Sequence, residues 1–443
     1  MQFERDTWRR FGRSGRSNVL AHAERIELLD AIALRNEAST AGLAVHQADD
    51  RDRALRMTEH AFMLRELARR TGDVTSLIAA SRSAERAIRL AADDEIRISA
   101  RLELAASSLL AAELFGDSVA AGAAEVRIVD LESQESLSDE HRIIVRGFRA
   151  RLLGREALAN NDLNAAVEAA GLYDEAVEQA DERVRQSGQS RTLAASLRLH
   201  RSELLVGFGL QLKEASLLRQ AQTDLGQVAT RIDRDRLPIT WSRAEALRGA
   251  ALAASGMLEG QPDEMSQGAA ALSAALAHLP NEHSPLDTAR SLHAMGMALM
   301  TLAEACEDDR LFDEAVEALD QAMFLFDEAP DVAHRPVCAF DRAIAITRRA
   351  ERRGDLKSLD YAEATFRAEL FSVNASTQPL DWAVLQVALA RVYEARADIT
   401  GEAGERANAA VSLHAAFDVF TERGLRSLSE IVLSSLEQIK AKS

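Results

Sequence analysis

The sequence predicts an all-α fold, an array of antiparallel helical hairpins. Three observations predict it. Ala and Leu dominate a chain of 443 residues that is 47% apolar and holds 7 prolines; both are strong helix formers, whereas proline breaks helices. Three similar segments open on proline, Pro238-Ile239-Thr240-Trp241, Pro285-Leu286-Asp287-Thr288 and Pro379-Leu380-Asp381-Trp382, separated by 47 and 94 residues, once and twice one period. Small and large residues also recur in register on that period. A repeat array is the main way for a chain this long to do without separate cores.

Taken in order, a leading helix is expected over about 18–48, making residues 1–50 an N-terminal helical cap. Residues 51–190 should form about three irregular hairpins, with first helices beginning near 51, 95 and 138. Their breaks fall at Thr71-Gly72-Asp73, Phe115-Gly116-Asp117, Ser136 to Asp139 and Ser187-Gly188-Gln189, which are turn and cap signals.

Residues 191–425 divide into five units of 47 residues, starting at 191, 238, 285, 332 and 379. Proline suits the first turn of a helix, and Asp287 and Asp381 then meet the positive end of the helix dipole. Overlaid, the units carry Ser202, Gly249, Gly296, Ala343 and Ala390 at one position, all small, and Leu205, Leu252, Leu299, Ile346 and Tyr393 three residues on. Further along stand Ala221, Gly268, Ala315, Ala362 and Ala409, then Leu225, Leu272, Leu319, Phe366 and Leu413. Next come Val228, Ala275, Ala322, Glu369 and Ala416, where Glu369 is the one departure. Spacings of three, four and seven share a helix face. A small residue on each helix lets two backbones approach, and the large residue one turn away fills the groove beside the contact. Each unit is thus a helix A and a helix B, and neighbours must stack to bury their stripes. A last helix over about 425–439 carries Leu425, Leu428, Val432, Leu436 and Ile439 on one face, so 426–443 is expected to be the capping end.

This pattern resembles the tetratricopeptide repeat. Gly296 with Leu299, and Ala390 with Tyr393, match its helix-A positions; Ala315, Leu319 and Ala322 match helix B, as does the stretch Leu311 to Leu319. Leu153-Gly154 followed by Asn161 to Ala166 is similar as well. The family's usual period is about 34 residues, so these are long, divergent units. The resemblance implies a right-handed α-solenoid whose concave groove is lined by helix A. Carried over, the lining is Arg243, Ala246, Ala250 and Ala253; Arg290, His293, Met297 and Met300; Val337, Phe340, Ile344 and Thr347; and Val384, Val387, Arg391 and Glu394. The Lys/Asn set that clamps a C-terminal carboxylate in many members is missing. Met297, Met300, Phe340 and Ile344 instead offer an apolar stretch flanked by Arg290 and Arg391, with His293 beside it, and methionine adapts well to peptides. The competing expectation is that longer helices bury these residues between them.

Composition excludes other classes. With 53 basic and 70 acidic residues, the net charge is −17, a surface that disfavours nucleic acid. Lys213, Lys357, Lys440 and Lys442 are the only lysines, an Arg-for-Lys usage that resembles a GC-rich bacterial genome. Two basic clusters stand out, Arg9-Arg10, Arg13 and Arg16 near Trp8 and Phe11, and Arg348-Arg349, Arg352-Arg353 and Lys357; both are expected to be solvated helix ends. Cys306 and Cys338 cannot build a disulfide framework or a Cys-rich metal site, and both are expected as small buried hydrophobes. The N-terminus shows no signal-peptide core and no apolar run reaches 18 residues, so a cytoplasmic location is expected. No paired-His spacing, Gly-rich phosphate loop or nucleophile elbow occurs, so neither a metal, a cofactor nor a catalytic set is expected. The chain is therefore expected to be a non-enzymatic scaffold or adaptor that binds a protein or peptide through the groove. The alternatives are a regulatory or sensor module acting in trans, or a self-associating array; an enzyme on this scaffold is the least expected.

Overall fold

The computed structural model describes residues 25–442, apart from 188–190, 280, 330, 332–333, 377 and 423–425. The first basic cluster, Arg9 to Arg16 with Trp8 and Phe11, and the residues Gly188, Gln189 and Leu425 lie outside the described residues. The described residues form eighteen helices and no strand. A leading helix α1 (Ala31–Gln47) precedes eight hairpins: α2 (Asp50–Thr71) with α3 (Val74–Leu90), α4 (Asp94–Phe115) with α5 (Ser118–Glu132), α6 (Asp139–Asn160) with α7 (Leu163–Ser187), α8 (Arg191–Leu212) with α9 (Ala215–Arg231), α10 (Pro238–Glu259) with α11 (Pro262–His278), α12 (Pro285–Cys306) with α13 (Asp309–Glu328), α14 (His334–Arg353) with α15 (Leu356–Ser372), and α16 (Pro379–Thr400) with α17 (Ala403–Glu422). Helix α18 (Arg426–Lys442) follows.

One turn design joins every A helix to its B helix. The connection is two residues long, and its first residue is left-handed: Gly72, Gly116, Asn161, Lys213, Gly260, Glu307, Gly354 and Gly401, with φ between 53° and 75°. A left-handed residue stops the helix and lets its last carbonyls be met. In most of these turns the second residue then caps the next helix, although Gln261 makes no such bond. Asp73, Asp117, Asp162 and Asp308 each accept a backbone N–H two residues on at 2.9 Å, and Asp355 does so at 3.0 Å. Such caps each contribute about 1 kcal/mol.

The chain forms two compact units, and the division falls inside α12: residues 1–291 with 329–331, and 292–328 with 332–443. In the first unit, Ile98, Leu102, Ala105 and Leu109 of α4 pack with Ala124, Ile128 and Leu131 of α5, and Ala150 and Ala157 of α6 pack with Ala169, Tyr173 and Ala176 of α7. Backbones approach closely at α10–α11. A Cβ on Gly249 would stand 2.7 Å from the Gly268 carbonyl oxygen, and one on Gly268 would stand 2.6 Å from the Ala253 nitrogen. Also within this unit, the first helices return to late elements. The Ala31 N–H donates to the Glu282 carbonyl at 2.8 Å, the Thr240 N–H donates to Glu27 at 3.0 Å, and Arg69 donates to Asp287 at 2.8 Å. Arg70, fully buried, donates to the Leu29 and Ile26 carbonyls and to Glu66.

In the second unit the packing residues of the repeat are buried: Ala315, Leu319, Ala322, Ala343, Ala390, Ala409 and Leu413, together with Gly296, where a Cβ would collide with Leu319. Two expectations need correction. Cys338 is buried, its thiol pushed up to about 12 chiefly by that burial, but Cys306 is exposed because α12 ends there. Leu428 is exposed, while Val432, Leu436 and Ile439 of α18 are buried, so the dry face starts a turn later. Glu369, the charged departure in the pattern, is half-buried, and burial raises its carboxyl above the usual range.

Candidate functional site

Of the seven residues of the apolar stretch and its flanks (Arg290, His293, Met297, Met300, Phe340, Ile344 and Arg391), six lie in the second unit. Met297, Phe340, Ile344, His293 and Arg391 are half-buried on the A helices α12, α14 and α16. Met300 is buried and joins the packing instead, as does Thr347, whose hydroxyl donates to the Ala343 carbonyl at 2.9 Å. His293 Nε2 lies 2.7 Å from the Asp341 carboxylate, joining α12 to α14. The Arg391 guanidinium makes no ion pair among the described residues. Burial first, and neighbouring Arg348 second, hold it below the usual arginine range, against Glu351, Glu394 and Glu304. Arg348 is itself loosely held: its buried Nε lies 3.5 Å from Glu304 without a hydrogen bond, and a terminal nitrogen lies 3.4 Å from Glu351.

Arg290, the seventh, belongs to the first unit, where it donates to the buried Asp331 at 2.7 Å. The second basic cluster is not merely solvated. Arg353 meets Asp313 at 2.7 Å, Arg352 meets Asp309 at 2.8 Å, and Arg349 approaches Asp313 at 3.4 Å. These arginines tie α14 to α13, so their charge is spent within the chain.

The first unit holds a feature that sequence reasoning missed. Its A helices are joined by ion-pair rungs: Arg65 to Glu103 at 2.8 Å, Arg151 to Glu113, Arg243 to Glu203 at 3.0 Å, and Arg243 to Asp287 at 3.5 Å. Asp287 is nearly inaccessible; neighbouring Arg69, Arg243 and Arg290 with the Ser284 hydroxyl overcome the burial penalty and hold it at about 2. His200 sits among these charges. Burial first, then Arg151, hold its ring at about 3, so it is neutral. The signal for this row was available only as Arg, Glu and Asp at varied offsets along the A helices, a pattern indistinguishable in sequence from a wet helix face.

No group of three or more His, Cys, Asp or Glu among the described residues is placed to hold a metal, and no described helix is long and apolar enough to cross a membrane. No protein-family model matches the chain, and no curated protein matches it in sequence. Among solved structures it is similar to a Rap protein complexed with competence and sporulation factor, at 10% identity and a TM-score of 0.47, over 88% of this chain and 98% of that one. It is also similar to the apo form of RapI, at 11% identity and a TM-score of 0.43, over 88% and 98%, and to a circular tandem repeat protein, at 14% identity and a TM-score of 0.25, over 95% and 97%. By its own helices and turns, the chain is an all-α array of helical hairpins.

Proposed function

We propose that this chain is a non-enzymatic adaptor that binds a protein or peptide on the A-helix face of its second unit. The observation that carries this reading is the pairing of half-buried Met297, Phe340 and Ile344 with Arg391, a guanidinium that has no ion-pair partner among the described residues, while the arginines of the neighbouring cluster are paired. Apolar side chains that are only partly covered gain free energy when a partner covers them, about 25 cal/mol per Å². An arginine without an ion pair on the adjoining A helix, α16, supplies direction and specificity, since its donors are costly to leave unmade in a covered site.

The test is affinity capture from native lysate with the full chain, repeated with Met297→Asp and Phe340→Asp. Each change should weaken capture of the main partner at least about tenfold, roughly 1.4 kcal/mol, with the far-ultraviolet helical signal unchanged. Capture that survives both substitutions at full strength overturns the assignment of this face.

A further inference from the structure

Residues 25–31, which lead into α1, rest on parts of the first unit that lie far from them in sequence. Each contact is of a kind that holds a bound peptide. On α2, the two terminal nitrogens of Arg70 donate to main-chain carbonyls of the segment, Leu29 at 2.7 Å and Ile26 at 3.0 Å. Ile26 itself is buried against Leu67, with Phe62 and Met63 packed beside them. At the start of α10, the Thr240 N–H donates to the Glu27 carboxyl at 3.0 Å, and the Thr240 hydroxyl donates to its other oxygen. In the turn before α12, the Glu282 carbonyl accepts the Ala31 N–H at 2.8 Å. Main-chain donors and acceptors are both met, one side chain fills an apolar site, and the next is fixed by its carboxyl oxygens. Main-chain bonds of this kind give affinity to a peptide, and side-chain sites give it specificity.

The site is built to be filled. Arg70 is fully buried, and Glu66 accepts from its Nε at 2.7 Å, which leaves the two terminal nitrogens to the segment's carbonyls. A buried guanidinium deprived of acceptors is costly. Helix α10 has no cap of its own: Leu237 stands at its N-cap without a side-chain hydrogen bond, and Pro238 follows. Thr240 lies in the first turn, where a backbone N–H has no partner inside the helix. Glu27 supplies that partner from 213 positions away. The segment, by contrast, buries little. Ile26 is its one buried large side chain, Leu28 is 52% exposed, and Arg25 is exposed.

None of these contacts is peculiar to the chain's own segment. They ask for an apolar side chain, a carboxyl on the next residue, and the carbonyl and N–H groups that every peptide carries. We propose that residues 25–31 stand in for a partner peptide, and that the site on α2 and α10 binds a peptide with an apolar residue followed by an acidic one when that segment is displaced. Because an empty site leaves Arg70 and α10 unanswered, the segment leaves by exchange with such a peptide. The tethered segment competes at a high effective concentration, so the site is self-inhibited. It lies wholly in the first unit and is separate from the A-helix face of the second.

The probe is an end-blocked, fluorescein-labelled heptapeptide copying residues 25–31, Arg-Ile-Glu-Leu-Leu-Asp-Ala, titrated with the full chain and followed by fluorescence anisotropy. Ile26→Asp in the chain loosens its own segment. The peptide should bind that variant at least about tenfold more tightly than the unaltered chain, because the competent fraction rises. Glu27→Ala in the chain should give a smaller gain in the same direction, and it carries the comparison if Ile26→Asp loses its far-ultraviolet helical signal. The same two substitutions placed in the peptide should each weaken its binding to the loosened chain severalfold. The unaltered peptide should also raise the thermal midpoint of that chain, whereas a segment that serves packing alone would leave no site for it. The proposal is overturned if neither variant chain binds the heptapeptide more tightly than the unaltered chain, or if the substituted peptides bind as well as the original. Met297→Asp should not alter the titration, so this result stands apart from that of the adaptor test.

Discussion

Residues 50–187 and 191–422 are built from the same hairpin, and they differ in only part of it. In the first region the A helices start at Asp50, Asp94 and Asp139, and the next begins at Arg191, so the repeat runs 44, 45 and 52 residues. In the second, the B helices start at Ala215, Pro262, Asp309, Leu356 and Ala403, 47 residues apart each time. Yet α2, α4 and α6 are 22 residues long, as are α8, α10, α12 and α16. The two-residue turn with its left-handed first residue is common to both regions. Irregularity resides in the B helices, which run from 15 residues in α5 to 25 in α7, against 17 to 20 in α9 through α17. The lesson is that the A helix and its turn are the constrained parts, because they set the angle at which the small-residue contacts meet. The far end of B and the loop after it absorb variation.

An insertion can break that distinction, and its effect should be the largest. One glycine placed between Gly116 and Asp117 lengthens the two-residue turn, so α5 must slide along α4 for the Asp117 cap to form, which carries Ala124, Ile128 and Leu131 out of their core. With about 1.5–3 kcal/mol for each large side chain, the loss should be several kcal/mol. The same glycine placed after Glu135, in the loop that leads to α6, should cost well under 1 kcal/mol, because loop length is weakly penalised. Urea denaturation of both variants makes the comparison. Equal losses would mean that the turn is no more constrained than the loop.

The second test asks whether the first region is held to the second by the contact the structure displays. Asp287 of α12 accepts from Arg69 of α2, both within the first unit. Asp287→Ala leaves Arg69 and Arg243 short of a buried partner and should cost about 3 kcal/mol, the usual loss when one member of a buried pair is removed. The pH dependence has a definite sign. The folded carboxyl is held at about 2, below its ordinary 3.8, so the stability it contributes is fully present above about 4 and is lost as pH falls towards 2. Asp287→Asn should flatten the acid limb of the stability curve in that window. An unchanged limb would show that the contact does not fasten the two regions.

The sequence made part of this legible for physical reasons. The all-α class followed from composition, and the helix starts at Pro238, Pro285 and Pro379 from the fixed φ of proline. The stripe of Gly249, Gly268, Ala315 and Leu319 could be read because close backbone contact admits few side chains. The candidate face was less legible. A methionine one turn from a small residue can line a groove or fill a core, and Met297 and Met300 took opposite outcomes three residues apart on one helix. The ion-pair rungs were not legible at all. Arg243 and Asp287 lie in different repeats, and nothing local distinguishes them from solvated charges until the helices stack. The turn, by contrast, was in view at Gly72 and Gly116 but hidden at Lys213 and Glu307, where the left-handed residue is not one that favours the conformation.

Those two positions supply the smallest and sharpest test. A non-glycine residue in the left-handed region costs about 1 kcal/mol, less for Asn, because its Cβ crowds the following carbonyl oxygen. If the turn is one design throughout, the sequence tolerates Lys213 and Glu307 only at that cost. Lys213→Gly and Glu307→Gly should each raise stability by somewhat under 1 kcal/mol, since glycine also has more freedom to lose on folding. Gly116→Ala, where a Cβ would meet no other atom, should lower stability by about the same amount through backbone strain alone. Asn161→Gly should change little, since asparagine already tolerates the conformation. Thermal midpoints of the four variants order them. A loss of stability in both Lys213→Gly and Glu307→Gly would mean that these side chains contribute more than the backbone strain they impose, and that the turns of the second region are not interchangeable with those of the first.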